Sequence, residues 1–298
     1  MVQPFLKWAG GKRQLLLQFK QIVPEIEKIR DTNTTYFEPF LGAGAMLFDI
    51  QPRNAVVNDI NGELINVYKV IQDKELFGEL IDKLEKHRKE HEKRSSDYFY
   101  EVREWDRKEE FYAQKSDVEK AGRFIFLNKT CFNGLYRVNS KGKFNVPYGK
   151  YKKPEIVNKD VLDEVHKYLI NNNVDFRYMS FEKVVENAKP GDVVYFDPPY
   201  DPLNKTSSFT SYAQEGFGEK EQYLLRDVFT DLNKNGCKVL LSNSDTPFIR
   251  DIYQEFAHRI VTVKANRAIN SKAEGRGKIK EVLIVGDYLD FNNIETGI

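Results

Sequence analysis

The chain has only two cysteines in 298 residues, Cys131 and Cys237, and neither has a CxxC partner. That excludes a disulfide scaffold and removes the thiolate sets that close structural zinc sites. Both read as small buried thiols in a reducing compartment. Histidine is also scarce. His87, His91, His166 and His258 fall into no metal-ligand spacing, and His87 and His91, on a charged helical pattern, read as part of a solvated face. No apolar run approaches the roughly 20 residues that cross a bilayer, and the amino terminus lacks an apolar leader core. A cytoplasmic protein without a membrane partner is therefore expected. Net charge is small, at +1, yet acid is missing locally. Between Lys120 and Lys153 there are nine Lys/Arg and no Asp or Glu. From Lys264 to Lys280, six basic residues face Glu274 alone. Two basic segments on a near-neutral chain suggest a surface that meets phosphates.

What is present is an α/β pattern. At 41% hydrophobic, the chain can bury one domain with an insertion, or two domains. Strand-like runs occur at 36–40, 55–57, 174–178, 193–196, 239–241, 260–263 and 281–285, with helical patterns between most of them. The last two are joined by a basic loop, which predicts a final antiparallel hairpin. The region from Asn61 to about Asn128 is charge-rich and helical. Gly134 to Tyr148 then reads as a β-hairpin turning at Asn139-Ser140-Lys141-Gly142. The boundaries that follow are 1–74 and 160–298 for a Rossmann-like α/β domain, interrupted by an insertion over 75–159.

The most specific string is Asp197-Pro198-Pro199-Tyr200, directly after the apolar run Val193–Phe196. A carboxylate, two prolines and a ring at the end of a buried strand form a rigid shelf with one acceptor and one stacking face. That suits a planar base carrying an exocyclic amine. Such an amine is a poor nucleophile because its lone pair is delocalised into the ring. Acceptors at Asp197 and at the Pro198 carbonyl would favour a pyramidal nitrogen and stabilise the charge developing there. Tyr200 would stack on the base. The chemistry requires no metal.

Two glycine strings bear on a cofactor. Phe40-Leu41-Gly42-Ala43-Gly44 follows a strand and opens a helix, so its backbone can approach a ligand. Asp59 ends the next strand, where nucleotide-binding folds place an acid for ribose hydroxyls. The third glycine of a dinucleotide fingerprint is absent, which points to another adenosine-bearing cofactor. The amino-terminal Gly10-Gly11-Lys12 is not a P-loop: Leu6 stands at the first glycine position and Arg13 at the Ser/Thr position.

Four strings together resemble the Dam-type, alpha-group D12-class DNA adenine-N6 methyltransferases. They are Phe5-Leu6-Lys7-Trp8-Ala9-Gly10-Gly11-Lys12, Glu38-Pro39-Phe40-Leu41-Gly42-Ala43-Gly44-Ala45, Phe132–Asn139 with Phe144–Gly149, and Asp197-Pro198-Pro199-Tyr200. The resemblance spans essentially the whole chain. It implies a Rossmann-like sheet with a DNA-recognition insertion and S-adenosylmethionine as methyl donor, without a metal. Asp197, Pro198 and Tyr200 would be catalytic. Trp8, Lys12, Phe40, Gly42, Gly44, Asp59, Phe181 and Asp197 would contact the cofactor, with Asp59 on the ribose. Lys7, Phe132, Asn133, Leu135, Arg137 and Tyr148 would contact double-stranded DNA. In those roles Arg137 reads guanine and Phe132, where many members carry Tyr, is an intercalating wedge.

The Arg137 motif resembles members that methylate GATC. A monomer is expected, in company with a possible cognate restriction endonuclease it does not touch. The polar loop Ser207–Gly218 reads either as closing over DNA or a flipped base or as an ordinary mobile surface loop, and the basic loop Asn266–Lys278 is expected beside the DNA as a backbone clamp. The alternatives are another amine acceptor (cytosine N4, RNA adenine, a protein glutamine) or a non-catalytic nucleic-acid-binding protein on the same fold.

Overall fold

The computed structural model describes residues 2–8, 15–202, 217–266 and 278–292. Lys12 and most of the two expected loops lie outside the described residues. The described strands are β1 (Thr35–Glu38), β2 (Asn54–Asn58), β3 (Asn173–Arg177), β4 (Val193–Phe196), β5 (Lys238–Ser244), β6 (Ile260–Asn266) and β7 (Lys278–Val285). They form a mixed sheet in the order β3-β2-β1-β4-β5-β7-β6. β1 pairs in parallel with β2 and β4, and β4 with β5. β7 runs antiparallel to both β5 and β6, the expected final hairpin. This is the Rossmann-like α/β sheet that the strand pattern predicts. β4 is buried along its whole length, which is why its sequence is a continuous apolar run with no alternation. β1 stops at Glu38, two residues before the apolar pattern ends. Pro39 has no N–H for the ladder, and its carbonyl is taken by Asn58 Nδ2 at 3.0 Å.

The described helices are α1 (Leu16–Ile22), α2 (Ala45–Ile50), α3 (Gly62–Gln72), α4 (Leu76–Arg103), α5 (Glu109–Ala113), α6 (Asp117–Thr130), α7 (Lys159–Asn171), α8 (Phe181–Val184), α9 (Glu219–Lys234) and α10 (Pro247–Ile252). None is long and apolar enough to cross a membrane. The chain forms two compact units. The first comprises Met1–Gly11, Gly42–Phe48 and Asn61–Tyr178; the second comprises Lys12–Leu41, Asp49–Ile60 and Met179–Ile298.

In the first unit, helix starts follow their capping residues. Asn61 Oδ1 accepts from Glu63 N and Leu64 N to open α3. Ser116 and Glu119 form a reciprocal capping box at the start of α6. α4 packs along α6, and this corrects the reading of the histidines. His87 and His91 are buried, 1% and 5% exposed, and do not belong to a solvated face. They continue the buried stripe of Leu80 and Leu84 at helical spacing. The His87 ring stacks on Phe126 at 4.9 Å, and its Nδ1 lies 2.8 Å from the Tyr98 hydroxyl. Burial, with Lys83 adding, pulls its pKa down to about 3.

In the second unit, Val194 and Phe196 of β4, Val239 and Leu241 of β5, and Leu225 and Phe229 of α9 share one buried cluster. Cys131 and Cys237 are free and buried, as expected, and burial raises both thiols, to about 12 and about 11.

Candidate active site and nucleic-acid interface

β1 and β4 are parallel neighbours, but the chain leaves them in opposite directions across the sheet, β1 toward β2 and β4 toward β5. Such a reversal opens a crevice beyond the strands' carboxyl ends, where open α/β sheets bind ligands. Asp197 stands there, immediately after β4. Ser242 Oγ donates to Asp197 Oδ1 at 3.0 Å, and the Tyr195 hydroxyl lies 3.0 Å from Ser242 Oγ. A carboxylate only accepts, so Ser242 spends its proton on Asp197 and Tyr195 must donate to Ser242. Burial, with the Asp197 charge adding, holds the Tyr195 phenol well above its ordinary pKa, so it stays a donor.

The rest of the tetrapeptide is fastened as firmly. Pro198 is buried. The Pro199 carbonyl accepts from Gln222 Nε2 at 3.0 Å, and Gln222 Oε1 in turn accepts from Asn243 Nδ2 at 3.1 Å. Asn243 Oδ1 accepts from Asp201 N at 3.1 Å. The Tyr200 hydroxyl donates to Glu281 Oε2 at 2.9 Å, and burial, then Asp197 and Glu281, pushes its phenol well up. Ser242, Asn243, Gln222 and Glu281 were not singled out from sequence. For Ser242 and Asn243 the one signal was the polar Ser242-Asn243-Ser244 closing the strand, a run buried in the fold; Gln222 and Glu281 had none.

Beside β1, Asn58 ends β2 and uses its whole side chain. Nδ2 donates to the carbonyls of Pro39 and Met179 at 3.0 Å each, and Oδ1 accepts from Met179 N at 2.9 Å. Its backbone carbonyl accepts from Leu41 N at 2.8 Å. This staple brings Phe40 and Phe181 together, ring centroids 5.3 Å apart, with Phe217 against both. Asp59, half-buried, is the next residue after Asn58.

In the first unit the glycine turn meets the amino-terminal string. Gly42 and Gly44 have φ of +50° and +68°, where a side chain is strained. A Cβ on Gly42 would lie 2.9 Å from Trp8 Cδ1. The Tyr68 hydroxyl fixes the Gly42 carbonyl at 2.9 Å. Trp8 is half-buried and stacks with Tyr136 at 5.9 Å and Phe124 at 6.2 Å.

Tyr136 belongs to the expected hairpin, which is looser than its sequence suggests. Phe132–Gly134 is a single 3₁₀ turn. Beyond it the two arms meet in isolated bridges, Cys131 to Tyr148 and Val138 to Phe144, and form no continuous ladder. Gly, Asn and Lys along the arms have little strand propensity. Phe132 is 46% exposed, and Asn133 has φ of +56°. Arg137 is exposed, and Leu135 is partly so. Arg137 Nε donates to Asn145 Oδ1 at 2.7 Å and Nη2 to the Asn145 carbonyl at 3.3 Å. The Tyr148 hydroxyl lies 3.1 Å from His91 Nε2, at the hairpin's base.

Lys7 is exposed. Its backbone is held by Asn128, whose Oδ1 accepts from Lys7 N at 3.0 Å and whose Nδ2 donates to the carbonyls of Lys7 and Gly134. The Lys7 ammonium lies 4.1 Å over the Tyr151 ring. Tyr151 was missed in the sequence, although an aromatic within the basic run Lys150–Lys153 is a pattern that binds nucleic acid.

Comparison with known proteins places the chain in one family. The description D12 class N6 adenine-specific DNA methyltransferase matches residues 8–269. The chain is 44% identical over 283 residues to the Type II methyltransferase M1.LlaDCHI of Lactococcus lactis subsp. cremoris, covering 95% of both proteins. It is 42% identical over 298 residues to the Type II methyltransferase M.MjaIII of Methanocaldococcus jannaschii, covering 95% of this chain and 99% of that one. Against the DNA adenine methylase of Serratia marcescens it is 35% identical over 289 residues, covering 94% and 96%.

Proposed function

Because the chain belongs to the D12 class of N6 adenine-specific DNA methyltransferases, we propose that it methylates N6 of adenine in double-stranded DNA at a short specific site, with GATC the favoured sequence. The observation that carries this reading is Asp197, at the crevice end of β4 and oriented by the Tyr195–Ser242 chain. One N6–H donates to Asp197 and the other to the Pro198 carbonyl. Both bonds draw the nitrogen lone pair out of conjugation and stabilise the positive charge that grows on N6. Once N6 has bonded to the methyl carbon, one of these protons passes to the Asp197 carboxylate and on to solvent, leaving a neutral methylated amine. Tyr200, its hydroxyl tied to Glu281, presents a ring face to an adenine flipped out of the stack.

The residues present fit an adenosyl cofactor. Gly42 and Gly44 hold a turn that side chains would obstruct, Phe40 and Phe181 form an aromatic pair, and Asp59 supplies an acceptor for ribose hydroxyls. Trp8, Lys12, Phe40, Gly42, Gly44, Asp59, Phe181 and Asp197 would hold S-adenosylmethionine, which supplies an electrophilic methyl carbon.

Residues 75–159 serve as the target-recognition insertion of a catalytic domain made of 1–74 and 160–298. Within the insertion Arg137 reads guanine, Asn133 and Leu135 meet neighbouring bases, and Phe132 fills the gap left by the adenine. Lys7 contacts DNA near the site, and Tyr148 closes the reading hairpin at its base. The enzyme acts as a monomer. The Type II names of two relatives support a role protecting DNA from a restriction endonuclease that it does not touch.

The test is transfer of labelled methyl from S-adenosylmethionine to duplex DNA, followed by digestion to nucleosides. The label is expected in N6-methyl-2′-deoxyadenosine and to require the duplex. Label in N4-methyl-2′-deoxycytidine, or transfer only to RNA, would replace this reading.

A further inference from the structure

We infer that Arg107, acting with Asp106, is the positioning residue of the recognition hairpin and sets how sharply Arg137 discriminates between bases. The inference rests on the reading of that hairpin as the DNA-reading element. The hairpin lacks a ladder of its own and is joined at Val138–Phe144 by one isolated bridge. The flanking bonds are Asn139 N to the Lys143 carbonyl and Asn145 N to the Arg137 carbonyl, both 2.9 Å. Val138 and Phe144 are therefore a non-hydrogen-bonded pair, and Phe144's own N–H and C=O point outward from the ribbon.

Both outward groups are captured by adjacent side chains. Phe144 N donates to Asp106 Oδ2 at 2.8 Å, and the Phe144 carbonyl accepts from Arg107 Nη2 at 2.7 Å. Asp106 and Arg107 thus do what a third strand would do. They are themselves immobilised. Arg107 Nη1 donates to Asp106 Oδ1 and to the Arg103 carbonyl, and its Nε lies 3.1 Å from Glu104. Asp106 Oδ2 also lies 2.8 Å from Nη2 of Arg123, a guanidinium that is 1% exposed and donates to the Val102 and Arg103 carbonyls.

The consequence reaches the reading residue through one peptide bond. Asn145, next to Phe144, holds the Nε–Nη2 edge of Arg137. Fixing Phe144 therefore fixes where the Arg137 fork starts. Bidentate reading of guanine depends on that placement, whereas phosphate contacts tolerate displacement. Losing the Arg107 tether should lower discrimination more than it lowers methylation at the best site.

The experiment expresses wild type, Arg107→Ala and Arg107→Lys in a host lacking adenine methylation and sequences modified bases in the genome. For each protein one reads methylation at the wild type's own consensus and at sites one base away from it. Arg107→Ala is expected to raise the ratio of off-consensus to consensus methylation about tenfold. Arg107→Lys, which keeps the charge and can make one bond to the Phe144 carbonyl, should fall between the two. If Arg107→Ala does not accumulate as folded protein, judged by cofactor binding, Arg107→Lys carries the test with a ratio above wild type. Ratios equal to wild type in the folded variants would overturn the inference and leave the proposed activity standing. A wild type that modifies no adenine would overturn both.

Discussion

Around Asp197, support comes from side chains of β4, β5 and α9. Ser242 and Tyr195 hold the carboxylate, and Gln222 and Asn243 hold the backbone that follows. Around Arg137, support comes through a two-bridge hairpin whose outer edge is tethered by Asp106 and Arg107. The first arrangement resists displacement because each polar atom sits in low dielectric with a partner, and losing one leaves another unsatisfied. The second holds one exposed guanidinium through a few contacts on a single element. The difference suits the two tasks assigned to them. Methyl transfer needs reacting atoms fixed at near-attack distance. Reading a base needs a side chain that reaches out of the protein surface.

The contrast predicts a division of effects, and substitutions at either end should expose it. The largest loss is expected from Asp197→Ala. Turnover should fall by about 10³-fold or more, while duplex affinity, measured by fluorescence anisotropy, stays within about threefold. Near-normal turnover would remove Asp197 from the chemistry. Next is Arg123→Met, which takes from the buried Asp106 one of its two guanidinium partners and leaves Arg107 and Phe144 N. It should lower unfolding free energy by about 1.5–3 kcal/mol in urea titrations, the range for a lost hydrogen bond to a charged group; an unchanged midpoint would show that the hairpin's anchor is not this pair.

Arg137→Ala should cost about 1–3 kcal/mol of discrimination between the consensus duplex and a single-base variant, with kcat on the consensus nearly unchanged. A uniform loss on both duplexes would make Arg137 a phosphate contact. Ser242→Ala should lower kcat about tenfold through the lost bond to a carboxylate and leave that discrimination ratio alone.

The smallest effect concerns His87. The folded protein keeps this imidazole neutral, its pKa drawn down to about 3 from 6.5, chiefly by burial. The unfolded chain therefore binds the extra proton first as pH falls, so this group erodes stability between about pH 6.5 and 3. His87→Gln should lose less stability than wild type between pH 7 and pH 5 in urea unfolding. Equal losses would place the acid sensitivity elsewhere.

How much was legible in the sequence differs between the same two regions. β4 and its Asp-Pro-Pro-Tyr end could be read because a strand buried on both faces is apolar throughout and stops at proline. Asn58 and Ser242 carry no local mark of their partners. Their bonds reach Met179, 121 residues away, and Asp197, 45 residues away, and only the fold creates those pairs. The hairpin's turn was legible from Asn139–Gly142, but not its loose pairing, since apolar alternation looks the same with or without a ladder. Its tether could not be read at all, because Asp106 and Phe144 are 38 residues apart. His87 and His91 were misread by weighing the charge of their neighbours over their spacing from Leu80 and Leu84, and the spacing is what packs a helix face.

The most direct test is sequencing of modified bases in DNA from cells that express the wild type or Asp197→Ala in a host without adenine methylation. The wild type is expected to leave N6-methyladenine at one short consensus, and Asp197→Ala at none. Methylation by Asp197→Ala at the wild-type level, or modification at cytosine N4, would contradict the account.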